Sequence, residues 1–144
     1  MAKRISARLL EIVDALPLQP SSRVLEVGCC PGVIAREIAR RLSNGHILAI
    51  DRSAKALEQA RAGCADEISS GRLTLRRVAA EDFVLEASEA LFDFALAVRV
   101  GALDGRHPQA GRSARERIAA ALVPGAKLFI DGNPLREISL DGSS

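Results

Sequence analysis

The chain has 144 residues, of which 48% are hydrophobic and 26% are charged, and its formal net charge at pH 7 is +2. This length and composition are typical of one globular domain and exclude a disordered chain. Aromatic residues make up only 3%, which argues against stacking platforms for single-stranded nucleic acid. The nearly balanced charge does not indicate a protein dedicated to binding nucleic acid or a membrane surface.

The three cysteines do not indicate a disulfide framework, because their number is odd and two of them, Cys29 and Cys30, are adjacent. A reducing compartment is the simpler interpretation. No cysteine or histidine cluster has zinc spacing, so we expect no metal site. No apolar run approaches the roughly 20 residues that a membrane span needs. We therefore expect a cytoplasmic protein with neither a membrane nor a nucleic-acid partner.

Apolar spacing predicts alternating helices and strands in a single domain over residues 1–144. The predicted helices span residues 4–16, 32–42, 54–68 and 113–122. The predicted strands span residues 23–27, 46–50, 73–78, 92–98 and 127–130. Residues 1–20 form an N-terminal helix and turn, and the tail at 133–144 offers a further short strand at 136–140. Strands that alternate with helices imply right-handed crossovers, so the predicted fold class is α/β, doubly wound, with five mainly parallel strands.

Local signals mark several predicted boundaries. Ser53 is a good N-cap for the third helix, and Pro17 stops the first. Asn44 and Gly45 end the second helix in the expected way, because both residues tolerate positive φ. Residues 101–111 form a predicted polar loop before the last helix.

The stretch from Val24 to Val33 joins a buried strand to a helix through a bend that two glycines bracket. These glycines are Gly28 and Gly32, and Glu26 lies just before them. Such a strand–turn–helix directs free backbone N–H groups, the positive end of a helix dipole and one carboxylate at a single point. It predicts a site for a small ligand with hydroxyl, amine or anionic groups.

Asp51 ends the second strand 23 positions after Gly28, close to the roughly 20 expected for an acid that binds ribose hydroxyls. Asp51 could instead be a helix-capping acid before Ser53. Combined with the glycine bend, it predicts a nucleoside-containing ligand. The bend does not match the dinucleotide fingerprint G-x-G-x-x-G, because position 33 is Val, and no Gly-Lys-Ser/Thr occurs, which excludes a Walker loop.

These motifs resemble those of class I S-adenosylmethionine-dependent methyltransferases. The first motif is Val-Leu-Glu-Val-Gly-Cys-x-Pro-Gly at residues 24–32. In the usual form of the family's motif, Gly stands at position 30, where this chain has Cys30. Four further motifs lie in the family's order at residues 49–53, 80–83, 92–97 and 122–128. The resemblance implies a Rossmann-like sheet with strand order 3-2-1-4-5 and S-adenosyl-L-methionine as the cofactor.

The resemblance also implies roles for individual residues. The bend at residues 28–32 would hold the methionine end of the cofactor, with Glu26 supporting it. Asp51 would take both ribose hydroxyls, and Arg52 could flank the adenine. One of the acids at 81–82 would meet the adenine amino group, unless Asp82 is a helix N-cap. The implied cofactor-binding residues are Glu26, Gly28, Cys29, Cys30, Gly32, Asp51, Arg52, Glu81, Asp82, Val98 and Arg99.

Methyl transfer requires few catalytic groups from the protein, because the sulfonium is already activated. The protein has mainly to hold the acceptor in line with the methyl group. His107 and Asp104, in the loop after the fourth strand, are candidate bases if the acceptor must lose a proton. A solvated polar loop is the alternative for His107. Arg99 and Arg106 could meet an anionic acceptor. The loop lacks the Asn/Asp-Pro-Pro-aromatic signature of amino-methylating relatives, which favours a small-molecule acceptor methylated at oxygen.

Two residues depart from the family's pattern. Cys30 stands where the backbone passes close to the cofactor, and Ala79 stands near the position at which many relatives place an acid. These departures favour an alternative, a methyltransferase-like binding or scaffold protein without turnover. A redox role for Cys29 and Cys30 and a nicotinamide oxidoreductase are weaker alternatives.

The fifth predicted strand, residues 127–130, is apolar and lies at the edge of the predicted sheet. Full-size relatives continue with an antiparallel pair that covers it. An exposed apolar edge strand promotes pairing with another chain. We therefore expect either pairing with the tail or a homodimer through this edge.

Overall fold

The computed structural model describes residues 4–28, 32–98, 108–131 and 136–140. The strands are β1 (Arg23–Val27), β2 (His46–Asp51), β3 (Leu73–Arg77), β4 (Phe94–Ala97), β5 (Lys127–Ile130) and β6 (Arg136–Ser139). The α-helices are α1 (Ala7–Ala15), α2 (Val33–Arg41), α3 (Ala54–Gly63), α4 (Ala65–Ser69) and α5 (Pro108–Ala120). A short 3₁₀ helix, Ala80–Asp82, follows β3. Across these described ranges, no helix combines the length and apolarity that crossing a bilayer requires.

The six strands form one sheet with the order β3-β2-β1-β4-β5-β6. The first five are parallel, which confirms the predicted fold class and strand order. The sixth is antiparallel to β5, with Leu128 opposite Ile138. This is the pairing expected of the tail, so the chain itself covers the β5 edge that suggested a homodimer.

Helices cover both faces of the sheet, and the strands supply apolar side chains to each. Successive residues of a strand point to opposite faces. One core packs against α1, α2 and α3 and includes Val13, Val24, Ile38, Ile47, Leu57, Leu96 and Phe129. The other packs against the 3₁₀ helix and α5 and includes Leu25, Leu48, Phe83, Ala95, Ile118 and Leu128. The central strands β1, β2 and β4 are therefore nearly continuous apolar runs, as strands buried on both faces should be.

Serine side chains cap two helices. Ser53 Oγ accepts a hydrogen bond from the backbone N–H of Ala56 (3.1 Å), which confirms the predicted N-cap of α3. Ser6 Oγ accepts a hydrogen bond from the N–H of Leu9 (3.2 Å) and caps α1. The first helix therefore begins at Ala7, three residues later than apolar spacing predicts.

Two further helix predictions differ from the structure. The helix predicted over residues 54–68 is divided at Cys64, which ends α3 and precedes α4 with φ −122° and ψ 26°. The last helix begins at Pro108 rather than at 113, so the predicted polar loop ends earlier than Gly111. Proline is well suited to the first turn of a helix, because its missing N–H would have no helical partner there.

Gly45 follows α2 for a different reason from the one expected. It is not among the glycines with positive φ. A Cβ at Gly45 would instead overlap the carbonyl oxygen of Ser22, which accepts a hydrogen bond from the N–H of His46 (3.0 Å). Glycine is required here because two backbone segments approach closely.

Asp93 has a structural role at the amino ends of the strands. Its Oδ2 accepts a hydrogen bond from the backbone N–H of Arg23 (2.8 Å), and its own N–H donates to the carbonyl of Arg23 (2.7 Å). These bonds align the start of β4 with the start of β1, at the end of the sheet opposite to the candidate site.

Candidate functional site

The strand order reverses at β1, because β2 lies on one side of it and β4 on the other. Open α/β sheets bind ligands beyond the carboxyl ends of the strands at such a reversal. The segment 28–32 leads from β1 to α2 at this edge, and Gly28 and Gly32 are its described residues. Their φ angles are 83° and 100°, which glycine adopts without the strain of an L side chain.

Strand register places three predicted site residues on one face of the sheet. Glu26 of β1 pairs with Ala49 of β2 and with Leu96 of β4, and both partners belong to the core beneath α1, α2 and α3. Asp51 and Val98 lie two residues beyond those partners, so they project from the same face as Glu26. The structure therefore brings Glu26, Asp51 and Val98 together at the carboxyl edge.

Glu26 is a buried carboxyl group with an unsatisfied oxygen. The residue is 2% exposed, and its Oε1 has no hydrogen-bond partner among the residues that the structure describes. Burial, and secondarily the negative charge of Asp51, raise the pKa of Glu26 to about 8. A buried polar atom without a partner is costly, so a ligand group that could donate to it would be stabilised there.

Asp51 is held in place by its local backbone. Its Oδ1 accepts a hydrogen bond from the N–H of Ser53 (2.9 Å), and its carbonyl accepts one from the N–H of Val78 (3.0 Å). The first bond orients the carboxylate at the end of β2 while Ser53 caps α3. The helix-capping alternative for Asp51 is therefore only partly right, because the cap of α3 is Ser53 itself.

The predicted adenine-side residues follow β2 and β3. Arg52 is exposed, and its carbonyl accepts a hydrogen bond from Arg77 Nε (3.2 Å). Glu81 is half-buried and Asp82 is exposed, and both lie in the 3₁₀ helix after β3. The N-cap of this helix is Ala79, so the alternative of Asp82 as a helix N-cap is wrong.

Six of the predicted residues lie outside the part of the chain that the structure describes. They are the candidate cofactor residues Cys29, Cys30 and Arg99, the candidate bases Asp104 and His107, and Arg106, a candidate for contact with an anionic acceptor. Their roles stay predictions.

The structure adds residues that sequence reasoning did not assign to the site. Cys64 Sγ donates a hydrogen bond to the carbonyl of Gly32 (3.3 Å) from behind the segment 28–32. Arg8 of α1 forms an ion pair with Asp131 at the end of β5 (3.9 Å), so the start of α1 lies at the carboxyl edge. Helical periodicity identifies Cys64 only as one of several apolar residues on a helix face, so it does not predict the hydrogen bond with Gly32.

A family model described as a methyltransferase domain matches residues 24–125, from the start of β1 to the turn before β5. The chain belongs to the methyltransferase domain family. The match includes Glu26, the segment 28–32, Asp51 and the acids at 81–82. The resemblance inferred from the motifs is thereby confirmed.

A curated relative, malonyl-[acyl-carrier protein] O-methyltransferase from Legionella pneumophila, is 39% identical over 59 residues, which are 41% of this chain and 20% of that protein. Solved structures agree in fold. YjhP from E. coli has a TM-score of 0.69 and 22% identity, over 88% of this chain and 49% of that one. Coclaurine N-methyltransferase, bound to N-methylheliamine and SAH, has a TM-score of 0.68 and 14% identity, and the match covers 85% of this chain and 35% of that one. The chain thus spans half or less of each of these proteins.

Proposed function

We propose that this chain binds S-adenosyl-L-methionine and transfers its methyl group to a small-molecule acceptor, at an oxygen atom. The observation that carries the proposal is the placement of Glu26, Gly28 and Asp51 at one carboxyl edge, within the segment matched by the methyltransferase domain model. When bound, this cofactor supplies a methyl group on an already activated sulfonium. The protein's task is to hold the cofactor and to align the acceptor.

Glu26 supports the cofactor assignment, because its chemistry fits the methionine end. A buried carboxyl group with an unpartnered Oε1 suits a cationic amino group, which would favour the ionised carboxylate. Gly28 and Gly32 leave the backbone free of side chains where the segment 28–32 would approach the ligand. Glu26 would thus bind the amino group, and the segment would bind the carboxylate through backbone N–H groups.

Asp51 supports the nucleoside half of the assignment. Its Oδ1 accepts a hydrogen bond from the N–H of Ser53, which fixes the direction of the carboxylate. A carboxylate so held can accept hydrogen bonds from two ribose hydroxyls. Glu81 or Asp82 would accept from the adenine amino group, and Val98, half-buried at the end of β4, would pack against the ligand.

Fewer observations support the identity of the methyl acceptor than support the cofactor. The loop after the fourth strand lacks the amino-methylating signature, and the curated relative with 39% identity is an O-methyltransferase. His107 or Asp104 would accept the hydroxyl proton if the acceptor oxygen carries one. A carboxylate acceptor would need no base.

Calorimetry tests the cofactor assignment directly. We expect heat from both S-adenosylmethionine and its demethylated product, and a loss of at least tenfold in affinity in Asp51→Ala. The matched control is Asp66→Ala, an exposed acid in α4, which should bind as the wild type does. An absence of heat with both ligands contradicts the proposal, and equal affinity in Asp51→Ala contradicts the role of Asp51.

A second candidate is a methyltransferase-like binding protein without turnover. Ala79, at the end of the third strand region, offers no polar group where many relatives place an acid. This candidate predicts weak cofactor binding, a large gain in affinity in Cys30→Gly, and no transfer of a labelled methyl group to any acceptor in a panel of hydroxy and carboxylic acids. Methylated product from any acceptor rules it out.

A further inference from the structure

Gly32 ends the segment 28–32 and caps α2, and its carbonyl oxygen accepts two hydrogen bonds. One comes from the backbone N–H of Arg36 in the first turn of α2 (2.9 Å). The other comes from the thiol of Cys64 (3.3 Å), which lies 32 positions further along the chain. The residue that ends the segment is therefore tied both to its own helix and to the break between α3 and α4.

Two small residues, Ala60 of α3 and Cys64 at its C-cap, form a surface directly behind Gly32. A Cβ added to Gly32 would lie 3.0 Å from Ala60 Cα, 3.1 Å from Ala60 Cβ and 3.2 Å from Cys64 Sγ. Ala60 and Cys64 are four positions apart, so they share one face of the helix, and both are buried. Packing against this surface leaves no room for Gly32 to move towards α3.

Cys64, whose thiol bonds to Gly32, lies at the break between α3 and α4. Cys64 has non-helical backbone angles and stands between the two helices. Burial, and secondarily the charge of Glu67, raise the pKa of the Cys64 thiol to about 11. The thiol is therefore protonated at neutral pH, as a hydrogen-bond donor must be.

We propose that Cys64 is a positioning residue for cofactor binding: its thiol holds the Gly32 carbonyl and so fixes the end of the segment 28–32 against α3. This inference rests on the proposed function. A buried cysteine that only fills space would contribute to stability and not to ligand affinity. Substitution of Cys64 therefore distinguishes the two roles: loss of the thiol lowers ligand affinity if Cys64 positions Gly32, and lowers only stability if Cys64 fills space.

The test compares Cys64→Ala, which removes the donor, with Cys64→Ser, which keeps one in a side chain of similar size. We expect Cys64→Ala to weaken binding of S-adenosylmethionine and its demethylated product by roughly threefold to tenfold, and Cys64→Ser to stay within roughly twofold of the wild type. The control is Ile118→Val, a buried truncation in α5 on the opposite face of the sheet, which should lose stability without losing affinity.

Hydrogen exchange gives a readout that needs no ligand. The Arg36 amide bonds to the same carbonyl, so it should exchange faster in Cys64→Ala and not in Ile118→Val when both are compared under native conditions. Equal affinity in Cys64→Ala and the wild type overturns the proposal, and so does an equal loss in Cys64→Ala and Cys64→Ser. If the wild type binds neither ligand, the proposed function fails and the cofactor role of Cys64 fails with it. If the wild type binds and the variants do not differ, only the positioning role fails.

Discussion

Glu26, one residue before the end of β1, and Asp51, the last residue of the neighbouring strand β2, project from the same face of the sheet, and the charge of Asp51 adds to the effect of burial on the Glu26 carboxyl. The pKa of Glu26, raised from 4.5 to about 8, keeps this carboxyl largely protonated at neutral pH when no ligand is bound. Both acids belong to the proposed cofactor site. The site therefore opposes folding electrostatically in the absence of its ligand, as functional sites often do.

Glu26 should make the ligand-free protein less stable as the pH rises. Below pH 4.5 the carboxyl is protonated in the folded and unfolded states alike. Between pH 4.5 and 8 only the unfolded chain releases the proton, so this group lowers the unfolding free energy by about 1.4 kcal/mol per pH unit. Glu26→Gln lacks this group, so its stability relative to the wild type should increase from pH 5 to pH 8.

Urea denaturation at pH 5, 6.5 and 8 measures that difference. Glu58→Gln, an exposed substitution in α3, is the control and should keep the pH dependence of the wild type. A stability difference between Glu26→Gln and the wild type that does not change with pH contradicts the prediction.

Gly32 should tolerate alanine less well than Gly71, although both have positive φ (100° and 81°). A Cβ at Gly71 meets nothing within 4 Å, so Gly71→Ala costs only the backbone strain, about 1–2 kcal/mol. A Cβ at Gly32 also presses on Ala60 and Cys64, which raises the expected cost of Gly32→Ala to about 2–4 kcal/mol. Denaturation midpoints of the two variants measure the loss of stability in each. Equal losses of stability would show that α3 does not confine Gly32.

The fold could be predicted because its central strands are short apolar runs between clear turn signals. Arg23–Val27 and Lys127–Ile130 are strands with the predicted bounds. The errors occur where a tertiary contact decides the local structure. Cys64 belongs to a helical pattern by spacing, yet the chain breaks there and its thiol bonds to Gly32. At Gly45 the sequence suggests positive φ, whereas the structure shows a close approach to the Ser22 carbonyl.

The placement of the candidate site residues was predictable to the extent that it follows from strand ends. Glu26 and Asp51 follow from motif and spacing, because parallel strands present their carboxyl ends at one edge. The raised pKa of Glu26 could not be read from the sequence, since it depends on complete burial between β2 and β4. The ion pair of Arg8 with Asp131 joins residues far apart in the chain and has no local signal.

The pairing of β6 with β5 should keep the chain from associating through the β5 edge. Ile138 lies opposite Leu128 in the middle of β6. Ile138→Pro removes a backbone donor and restrains the strand, so it should expose the edge and increase self-association. Ile138→Val, which keeps the strand, is the control. Sedimentation of both at equal concentration measures the mass, and an unchanged mass in Ile138→Pro would show that β6 does not protect this edge.

Arg76 joins β3 to the loop that follows the 3₁₀ helix. Its Nη1 and Nη2 donate to the two carboxylate oxygens of Glu89, each at 2.9 Å, and its guanidinium lies 6.0 Å from the centre of the Phe83 ring. Hydrogen bonding from Arg76 lowers the pKa of Glu89. The paired geometry and partial burial distinguish this ion pair from an ordinary surface contact.

The Arg76–Glu89 pair should therefore show a coupling free energy of about 1 kcal/mol in a double-mutant cycle of Arg76→Ala and Glu89→Gln at pH 7. Because the pKa of Glu89 is lowered in the folded state, the coupling should persist above the ordinary carboxyl pKa and be lost as the pH falls through the folded value. Lys127 and Glu137, an exposed pair at 3.6 Å, provide the control cycle, in which we expect little coupling. Urea denaturation at pH 7 and pH 3.5 measures both cycles. Equal coupling in the two pairs, or coupling in the first that survives at pH 3.5, would mean that the Arg76–Glu89 contact contributes through packing on Phe83 rather than through charge.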